Sequence, residues 1–291
     1  MSANNVSAGP AGFILGNGIA PQILLGLVTG LVLFIVVFSV ESLIQTLNKY
    51  QTAKTILVPN TITSASSVVI LQDPSNTKSK MILPSENELT GVEFTYSFYL
   101  FVDPSTIDST EDTTLRLKQV FYKGYSKPFP LLGPGVFIRN DTNTMRIFMN
   151  SYKSLFNYVD VPNIPMQKWF HCALVFRANN LEVYINGNLS NRIAMEDTYP
   201  YQNYQNIVIF GGTKYDSPAA KTFTKPGGTA AEAFKVTGPM SGQISRLTHY
   251  RYALSFSEIQ ALSSVGPSSK IDTSQQSSYL QTTLTDSWYT P

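Results

Sequence analysis

The chain has 291 residues, a length that allows one large domain or two ordinary ones. Charged residues make up 14% and the formal net charge is +2, so the composition gives no basis for binding nucleic acid. Cys172 is the single cysteine, which excludes an intramolecular disulfide and favours a reducing compartment. One cysteine and two histidines are a poor ligand set for zinc.

The first predicted element is an apolar helix that follows a charge-free N-terminal segment. No Asp, Glu, Lys or Arg occurs before Glu41, and residues 23–40 read ILLGLVTGLVLFIVVFSV. About 20 apolar residues cross the hydrocarbon core of a bilayer as a helix. We therefore predict a tail over residues 1–20 and a transmembrane helix with a juxtamembrane extension over residues 21–47.

A cleaved signal peptide is the main alternative to a retained anchor. It requires a basic region before a short apolar core and small residues at the cleavage site. The chain has no basic residue before the helix, and Val40-Glu41-Ser42-Leu43 lacks those small residues. Lys49 and Lys54 follow the helix, so the positive-inside rule predicts that the C-terminal domain lies on the cytoplasmic side of the membrane.

After a predicted linker over residues 48–59, the periodicity of the sequence becomes that of β-strands. Clusters of Gly, Pro, Asn and Asp separate most of these segments. The predicted strands cover residues 67–70, 94–102, 119–122, 135–139, 145–149, 170–176, 181–185, 207–210 and 243–250. Many short strands with few helical patterns indicate a mainly β domain, a sandwich or a barrel, which we place over residues 60–266.

Two turns within this region have specific signatures. Asn186-Gly187 follows an alternating strand and is the strongest two-residue hairpin signal, because both positions tolerate positive φ. Ser255 and Glu258 form a capping box at the start of a short helix predicted over residues 254–262. The preceding segment, residues 169–176, is apolar at nearly every position, which predicts a central strand covered on both faces.

Residues 267–291 are rich in Ser, Thr and Gln and cannot build a core of their own. A flexible terminus without a role is the alternative, but we predict an extended polar tail that becomes ordered only against a neighbouring chain. Trp288 and Tyr289 would then be its anchors, as aromatic residues often are in interface pockets.

Four segments of the chain together resemble the laminin G branch of the concanavalin A-like jelly rolls. They are GVEFTYSF at 91–98, WFHCALVF with LEVYINGNL at 169–176 and 181–189, IVIFGG at 207–212, and GQISRL at 242–247 with the short helix that follows. The resemblance implies an antiparallel jelly-roll sandwich. It also implies that Trp169 is a core plug and that Asn186 and Gly187 form a structural hairpin.

The arrangement of an N-terminal anchor before one such domain is similar to that of membrane-associated proteins of large DNA viruses of algae and amoebae. Small proteins of those viruses link an internal bilayer to the capsid. The similarity implies that the partners of this chain are lipid and capsid proteins and that it lies in the internal membrane of a virion.

No catalytic residues are predicted. Glycosidases of this fold carry two carboxylates at alternate positions of one strand, and no such array occurs. Glu182 is alone on its strand, and we interpret it and Glu196-Asp197 as solvated surface charges. His171 and His249 lie in predicted strands and are interpreted as structural.

The candidate binding residues are aromatic or acidic residues of predicted loops. Tyr199, Tyr201 and Tyr204 lie in one loop and suit a protein or a glycan partner, or else fold over the sandwich edge. Asp141, Asp197 and Asp216 are weak calcium candidates, because turn-forming Asp explains them as well; no other cofactor is predicted. The sequence thus favours a non-enzymatic membrane-anchored structural protein. The alternatives are a membrane-tethered lectin and, less favoured, a glycoside hydrolase.

Overall fold

The computed structural model describes residues 19–85, 87–88, 91–107, 115–177, 179–195, 199–217 and 222–272. The chain forms two units, of which the first ends at Ala53 and the second begins at Lys54.

The first unit is the apolar helix α1, Ile19–Thr52. Its segment Gln22–Ile44 is long and apolar enough to cross a membrane, and no part of that segment is buried by other described residues. The hydroxyls of Thr29 and Ser39 donate to the carbonyls of Leu25 and Ile35 at 2.8 and 2.7 Å. Both polar groups are therefore satisfied within the helix, as an apolar surrounding requires.

The second unit is built mainly of β-strands. In chain order these are β1 Lys54–Ile56, β2 Thr61–Thr63, β3 Val68–Ile70, β4 Asn87–Glu88, β5 Gly91–Val102, β6 Leu117–Lys123, β7 Gly135–Arg139, β8 Met145–Phe148, β9 Tyr158–Val161, β10 Trp169–Arg177, β11 Asn180–Ile185, β12 Asn188–Ala194, β13 Ile207–Ile209, β14 Tyr215–Asp216, β15 Phe223–Thr224, β16 Ala231–Glu232, β17 Lys235–Pro239 and β18 Gly242–Tyr250. A 3-10 turn, Pro104–Thr106, and helix α2, Phe256–Val265, complete the unit.

Two sheets form the sandwich that the sequence predicts. The first has the strand order β1-β18-β5-β10-β11-β12, with β2 pairing β18 and β4 pairing β5. The second has the order β14-β17-β6-β7-β8-β9, with β13 pairing both β6 and β3. The pairs are antiparallel apart from β17 and β6, which run parallel. The antiparallel jelly-roll class is thereby confirmed.

The main core lies between the two sheets. Strand β5 shows how the pleat builds it: Phe94, Phe98 and Leu100 point inward and are almost fully buried. Intervening β5 residues point to the other face of the first sheet. There Tyr99 donates a hydrogen bond to the carbonyl of Leu262 in helix α2.

Both sheets are also covered on their outer faces. Helix α2 packs its Ile259 against Ala173 and Val175 of β10, so this central strand is covered on both faces as predicted. On the second sheet, an aromatic cluster covers the outer face beside the hairpin β15–β16; its buried aromatic members are Tyr122, Phe129, Phe137, Phe148, Phe156 and Phe234.

The structure extends the sandwich beyond its predicted boundaries at both ends. Strand β1 lies within the predicted linker 48–59, because Lys54 and Ile56 pair with Tyr250 and Thr248 of β18. At the other end, the start of the predicted tail runs beside β2, where the amide of Asp272 donates to the carbonyl of Thr61 at 2.8 Å. Residues 54–59 and 267–272 therefore belong to the sandwich.

Candidate functional site

The tyrosines predicted to bind a partner lie on a loop that is fastened to a neighbouring loop. Ser151 and Pro200 form an isolated β-bridge, and the amide of Tyr201 donates to the carbonyl of Asn150 at 2.8 Å. The ring of Tyr201 also meets that of Tyr152 edge-on, with 5.2 Å between centroids. Two distant loops thus form one aromatic surface.

We call Tyr152, Tyr199, Tyr201 and Tyr204 the tyrosine surface. Tyr152 and Tyr204 are each 72% exposed, and Tyr199 is 50% exposed. Tyr201 is half-buried, so it packs beneath the exposed rings and offers less of its own ring to a partner. The sequence did not single out Tyr152, because nothing local shows that residue 152 lies beside residue 201.

A small cavity of about 20 Å³ opens beside Tyr204. It lies where the two sheets meet at one end of the sandwich, since Tyr96 and His249 come from the first sheet and Lys123 from the second. The loop residues Gln202 and Asn203 complete its polar lining. None of these polar groups was predicted as a site.

Lys123 is the unusual member of this cavity, because it is 4% exposed and has no carboxylate among its hydrogen-bond partners. Its Nζ donates to the carbonyls of Asn203 and Gln205, both at 2.7 Å. Burial lowers the pKa of the lysine to about 7. The one signal in the sequence is a lysine that ends the otherwise apolar strand Val120-Phe121-Tyr122.

Two further polar groups of the cavity have no hydrogen-bond partner. They are Gln202 Nε2 and His249 Nδ1, both buried. The pKa of His249 falls to about 3 because the ring is buried and because Lys123 and Arg251 act on it through their charges. The imidazole is therefore neutral at physiological pH, and the cavity offers unused hydrogen-bonding groups.

A serine–histidine pair that the sequence did not reveal lies on the other face of the first sheet. Ser97 Oγ and His171 Nε2 are 2.9 Å apart, and both residues are buried. Burial lowers the pKa of His171 to about 4, and its Nδ1 has no partner. Since no carboxylate orients this imidazole and Ser97 has almost no access to solvent, the pair has the properties of a structural contact.

The structure also brings together two carboxylates that are distant in sequence. Asp160 and Glu232 accept hydrogen bonds from Arg146 at 2.7 and 2.5 Å. Tyr158 donates to the same Glu232 at 2.7 Å, and its ring lies 3.9 Å from the guanidinium. Burial opposes the charge of Arg146, but the two carboxylates outweigh it and hold the pKa of the guanidinium above its usual range.

The calcium candidates do not form one site among the described residues. Asp141 lies in the turn between β7 and β8, where Arg139 donates to both of its oxygens at 2.9 and 2.6 Å. Asp216 lies on the edge strand β14 and is 2.9 Å from Lys235 Nζ. No group of three or more acidic, histidine or cysteine ligands occurs in the described part of the chain. Asp197 lies outside it.

The residues that the laminin G resemblance marks as structural have different positions. Asn186 and Gly187 form the turn between β11 and β12, with φ of 49° and 83°. Trp169, expected as a core plug, is half-buried at the start of β10 against Phe101, with 5.7 Å between ring centroids. Successive side chains of β10 point to opposite faces of the sheet. Phe170 points into the core, so Trp169 lies on the outer face.

Four more residues named in the sequence analysis remain: Ser255 and Glu182 lie in the described part of the chain, and Trp288 and Tyr289 do not. Ser255 caps helix α2, and the capping box with Glu258 is present. Glu182 was expected to be a solvated surface charge, but it is only 9% exposed. Tyr184 donates a hydrogen bond to its carboxylate at 3.0 Å, and Arg192 lies 3.7 Å from it. The predicted tail anchors Trp288 and Tyr289 lie outside the described residues.

A family model of the laminin G type, described as the concanavalin A-like lectin/glucanases superfamily, matches residues 75–260. This chain belongs to that superfamily. The match covers more than half of the 291 residues and includes the strands of both sheets from β4 to β18. No curated protein matches the chain.

Solved structures with a similar fold include binding domains of botulinum neurotoxins. The receptor binding domain of botulinum neurotoxin D has a TM-score of 0.44 and 12% identity, over 72% of this chain and 43% of that one. The binding domain of botulinum neurotoxin DC in complex with rat synaptotagmin II has a TM-score of 0.42 and 13% identity, over 68% and 39%. The superfamily member described here therefore spans less than half the length of these neurotoxin domains.

Proposed function

We propose that this chain is a membrane-anchored, non-catalytic interaction protein that binds a partner protein through the tyrosine surface. The observation that carries the proposal is the exposure of Tyr152 and Tyr204 on two loops fastened to each other. Tyrosine offers a large, rigid contact area with one polar group, which is why it is enriched in protein interfaces. The apolar helix α1 supplies the anchor.

In its finer form, the proposal is that the protein is a minor capsid protein of a large DNA virus. Helix α1 would lie in the internal membrane, and the sandwich, on the cytoplasmic or capsid side, would bind a capsid subunit. The support is the similarity of arrangement described above, together with the positive charge of Lys49 and Lys54 after the apolar segment Gln22–Ile44.

Fractionation of purified virions tests this assignment. After the capsid is removed, we expect the full-length protein to remain with the internal membrane. Cross-linking should join it to a capsid subunit, and the double variant Tyr152→Ala/Tyr204→Ala should lose that cross-link. Phe256→Ala, which removes an aromatic ring of helix α2 that is 59% exposed, is the control. Recovery of the protein from a cell-surface fraction and not from virions would contradict the capsid assignment.

Glycan binding is the second candidate function. The specific observation in its favour is that the exposed ring of Tyr204 borders a polar cavity, so a sugar lying across the mouth of the cavity would meet an aromatic face and a few oriented polar groups. A glycan array with the full-length protein in detergent tests it. Binding to one sugar class with a millimolar or lower Kd, lost in Tyr204→Ala, would favour a membrane-tethered lectin.

The observation that favours the glycoside hydrolase alternative is that the carboxylates of Asp160 and Glu232 lie close to each other. Both accept hydrogen bonds from Arg146, so the pair already has the partner that holds it in place. Hydrolysis of a β-glucan by the full-length protein, abolished by Glu232→Gln, would overturn the non-catalytic part of the proposal.

A further inference from the structure

The cavity beside Tyr204 is lined by hydrogen-bond donors that lack acceptors. The Oε1 of Gln202 accepts from the amide of Ser85 at 3.1 Å, which identifies the unpartnered atom of that side chain as its NH₂ group. His249 Nδ1 is a donor in one of the two neutral tautomers. Protonated Lys123 has three hydrogens: two serve the carbonyls of Asn203 and Gln205 at 2.7 Å, and the third has only a long contact of 3.5 Å with Oδ1 of Asn203.

Among the described residues, nothing compensates the charge of the cavity. Lys123 Nζ donates to two carbonyls and makes a longer contact of 3.5 Å with the side-chain oxygen of Asn203, and none of these partners is a carboxylate. A buried ammonium without a counter-charge is costly, and an anion at hydrogen-bond distance offsets that cost. The donors and the charge both point to a negatively charged acceptor.

The size of the cavity limits what can enter. Its volume of about 20 Å³ compares with the roughly 10–15 Å³ needed for one water molecule. It therefore admits the end of a carboxylate and excludes a whole sugar ring. A flexible acidic side chain can reach it while the rest of its protein lies against Tyr204.

We infer that Lys123, Gln202 and His249 form a receptor for the carboxylate of an Asp or Glu side chain, presented by the protein that docks on the tyrosine surface. This inference rests on the proposed function and names the chemistry of the partner. Arrival of the carboxylate would give Lys123 its missing counter-charge and would give Gln202 Nε2 its missing acceptor.

The inference has a pH dependence of known sign. Among the described residues, the titratable groups that line the cavity with Lys123 are His249 from β18, Tyr96 from β5 and Tyr204 from the loop. Burial keeps His249 and Tyr96 neutral near pH 7. Arg251 adds a positive charge that acts on His249. Since the carboxylate binds the protonated lysine, its affinity should fall about tenfold for each pH unit above the pKa of free Lys123.

The test uses the full-length protein in detergent micelles. The probe is N-acetyl-L-glutamate N-methylamide, and N-acetyl-L-glutamine N-methylamide is its neutral isostere. By ligand-detected NMR we expect the acid to bind at least tenfold more tightly than the amide at pH 6, and the difference to shrink about tenfold or more by pH 8.5. Lys123→Met should abolish the preference, whereas Lys214→Met, at an exposed lysine, should keep it.

A second variant keeps the inference testable if Lys123→Met does not fold. Gln202→Glu is isosteric and places a carboxylate beside Lys123, so it should compete with the acid probe and remove its binding. Equal binding of acid and amide, or an acid preference that survives in Gln202→Glu, would overturn the inference. Tighter binding of D-glucuronate than of the glutamate probe would reassign the receptor to acidic sugars.

These outcomes are separable from those of the proposed function. If the tyrosine double variant loses its capsid cross-link while neither probe binds, the interaction surface stands and the carboxylate receptor is wrong.

Discussion

Lys123 occupies a position that is costly for stability. The lysine is buried with carbonyl partners only, and its pKa is lowered to about 7 by burial. An apolar residue, or a lysine paired with a carboxylate, would be more stable at this buried position. The cost is consistent with a site kept ready for an anion.

Stability should therefore depend on the protonation of Lys123. Above pH 7 the folded chain loses the proton, whereas an unfolded lysine keeps it to about pH 10.4. The unfolded state binds more protons in this window, so the free energy of unfolding should rise with pH, by an amount on the order of a few kcal/mol in total. Denaturant unfolding at pH 7 and pH 9.5 measures the rise.

The control for this prediction is a second lysine. Lys123→Met should remove the rise, whereas Lys214→Met should preserve it, because that side chain is exposed. The window lies above the titration of His249, whose pKa falls to about 3 when folded, so the two groups are separated. Parallel pH profiles for wild type and Lys123→Met would contradict the assignment.

For single residues, the sequence could indicate candidates for a site but not which residues they contact in the fold. Tyr199, Tyr201 and Tyr204 were singled out as candidates because they lie in one loop. Lys123 and Tyr152 were not, because their partners lie about 80 and 50 residues away along the chain. Such contacts depend on how the two sheets meet, and no local periodicity encodes that.

The hairpin β15–β16 is joined to the second sheet by an ion-pair network around Arg146. Its Glu232 binds Arg146 of β8, whose side chain is 3% exposed, while Asp160 of β9 binds the same guanidinium. The outer aromatic cluster beneath it includes the half-buried Phe223 of β15. Removing Arg146 would leave Glu232 without its arginine partner, and Asp160 would keep only the longer contact of 3.5 Å with Arg139.

We expect Arg146→Ala to lower the free energy of unfolding by about 3–5 kcal/mol, as the loss of one partner of a buried pair does. The control is Arg192→Ala, at an arginine that is 57% exposed and 3.7 Å from Glu182. That change should cost no more than about 1 kcal/mol. Equal effects in chemical denaturation would show that the Arg146 network does not stabilise the fold.

The turn at Asn186-Gly187 gives a sharper prediction about an element. Gly187 has φ of 83°, and an added Cβ would lie 2.7 Å from Nε2 of Gln260, a group that donates to the carbonyl of Gly187 at 3.0 Å. Gly187→Ala should therefore destabilise the sandwich by roughly 1–2 kcal/mol, since alanine is strained at positive φ. Gly212→Ala, where nothing lies within 4 Å, should be close to neutral in thermal unfolding.

Element prediction succeeded where the pattern was long or its turn chemistry was specific. Strand β10 and helix α2 were both predicted from the sequence, the first by an apolar run and the second by the capping box of Ser255. The short strands β14, β15 and β16 were missed, because two residues cannot show a periodicity. Strand β1 was missed because its pairing with β18 spans almost 200 residues.

At the scale of the whole molecule, the chain combines one apolar helix with one sandwich. The change of periodicity along the sequence was enough to predict both, since a charge-free apolar run and alternating strands have different signatures. The boundaries between them were less accurate, because residues 54–59 and 267–272 take part in pairing that only the folded sheet makes visible.

The anchor yields the last prediction. In the segment Gln22–Ile44 the large apolar side chains are exposed, Phe34 to 68% and Leu27 to 68%, and nothing else in the described structure covers them. Burying that area in lipid should hold the protein in the membrane, since each side chain contributes about 1.5–3 kcal/mol. We therefore expect the full-length protein to stay in the pellet during carbonate extraction of membranes. A variant that lacks residues 1–47 should be extracted. N-terminal sequencing of the mature protein provides the decisive control, because a new N-terminus near residue 41 would identify a cleaved signal peptide and rule out the anchor.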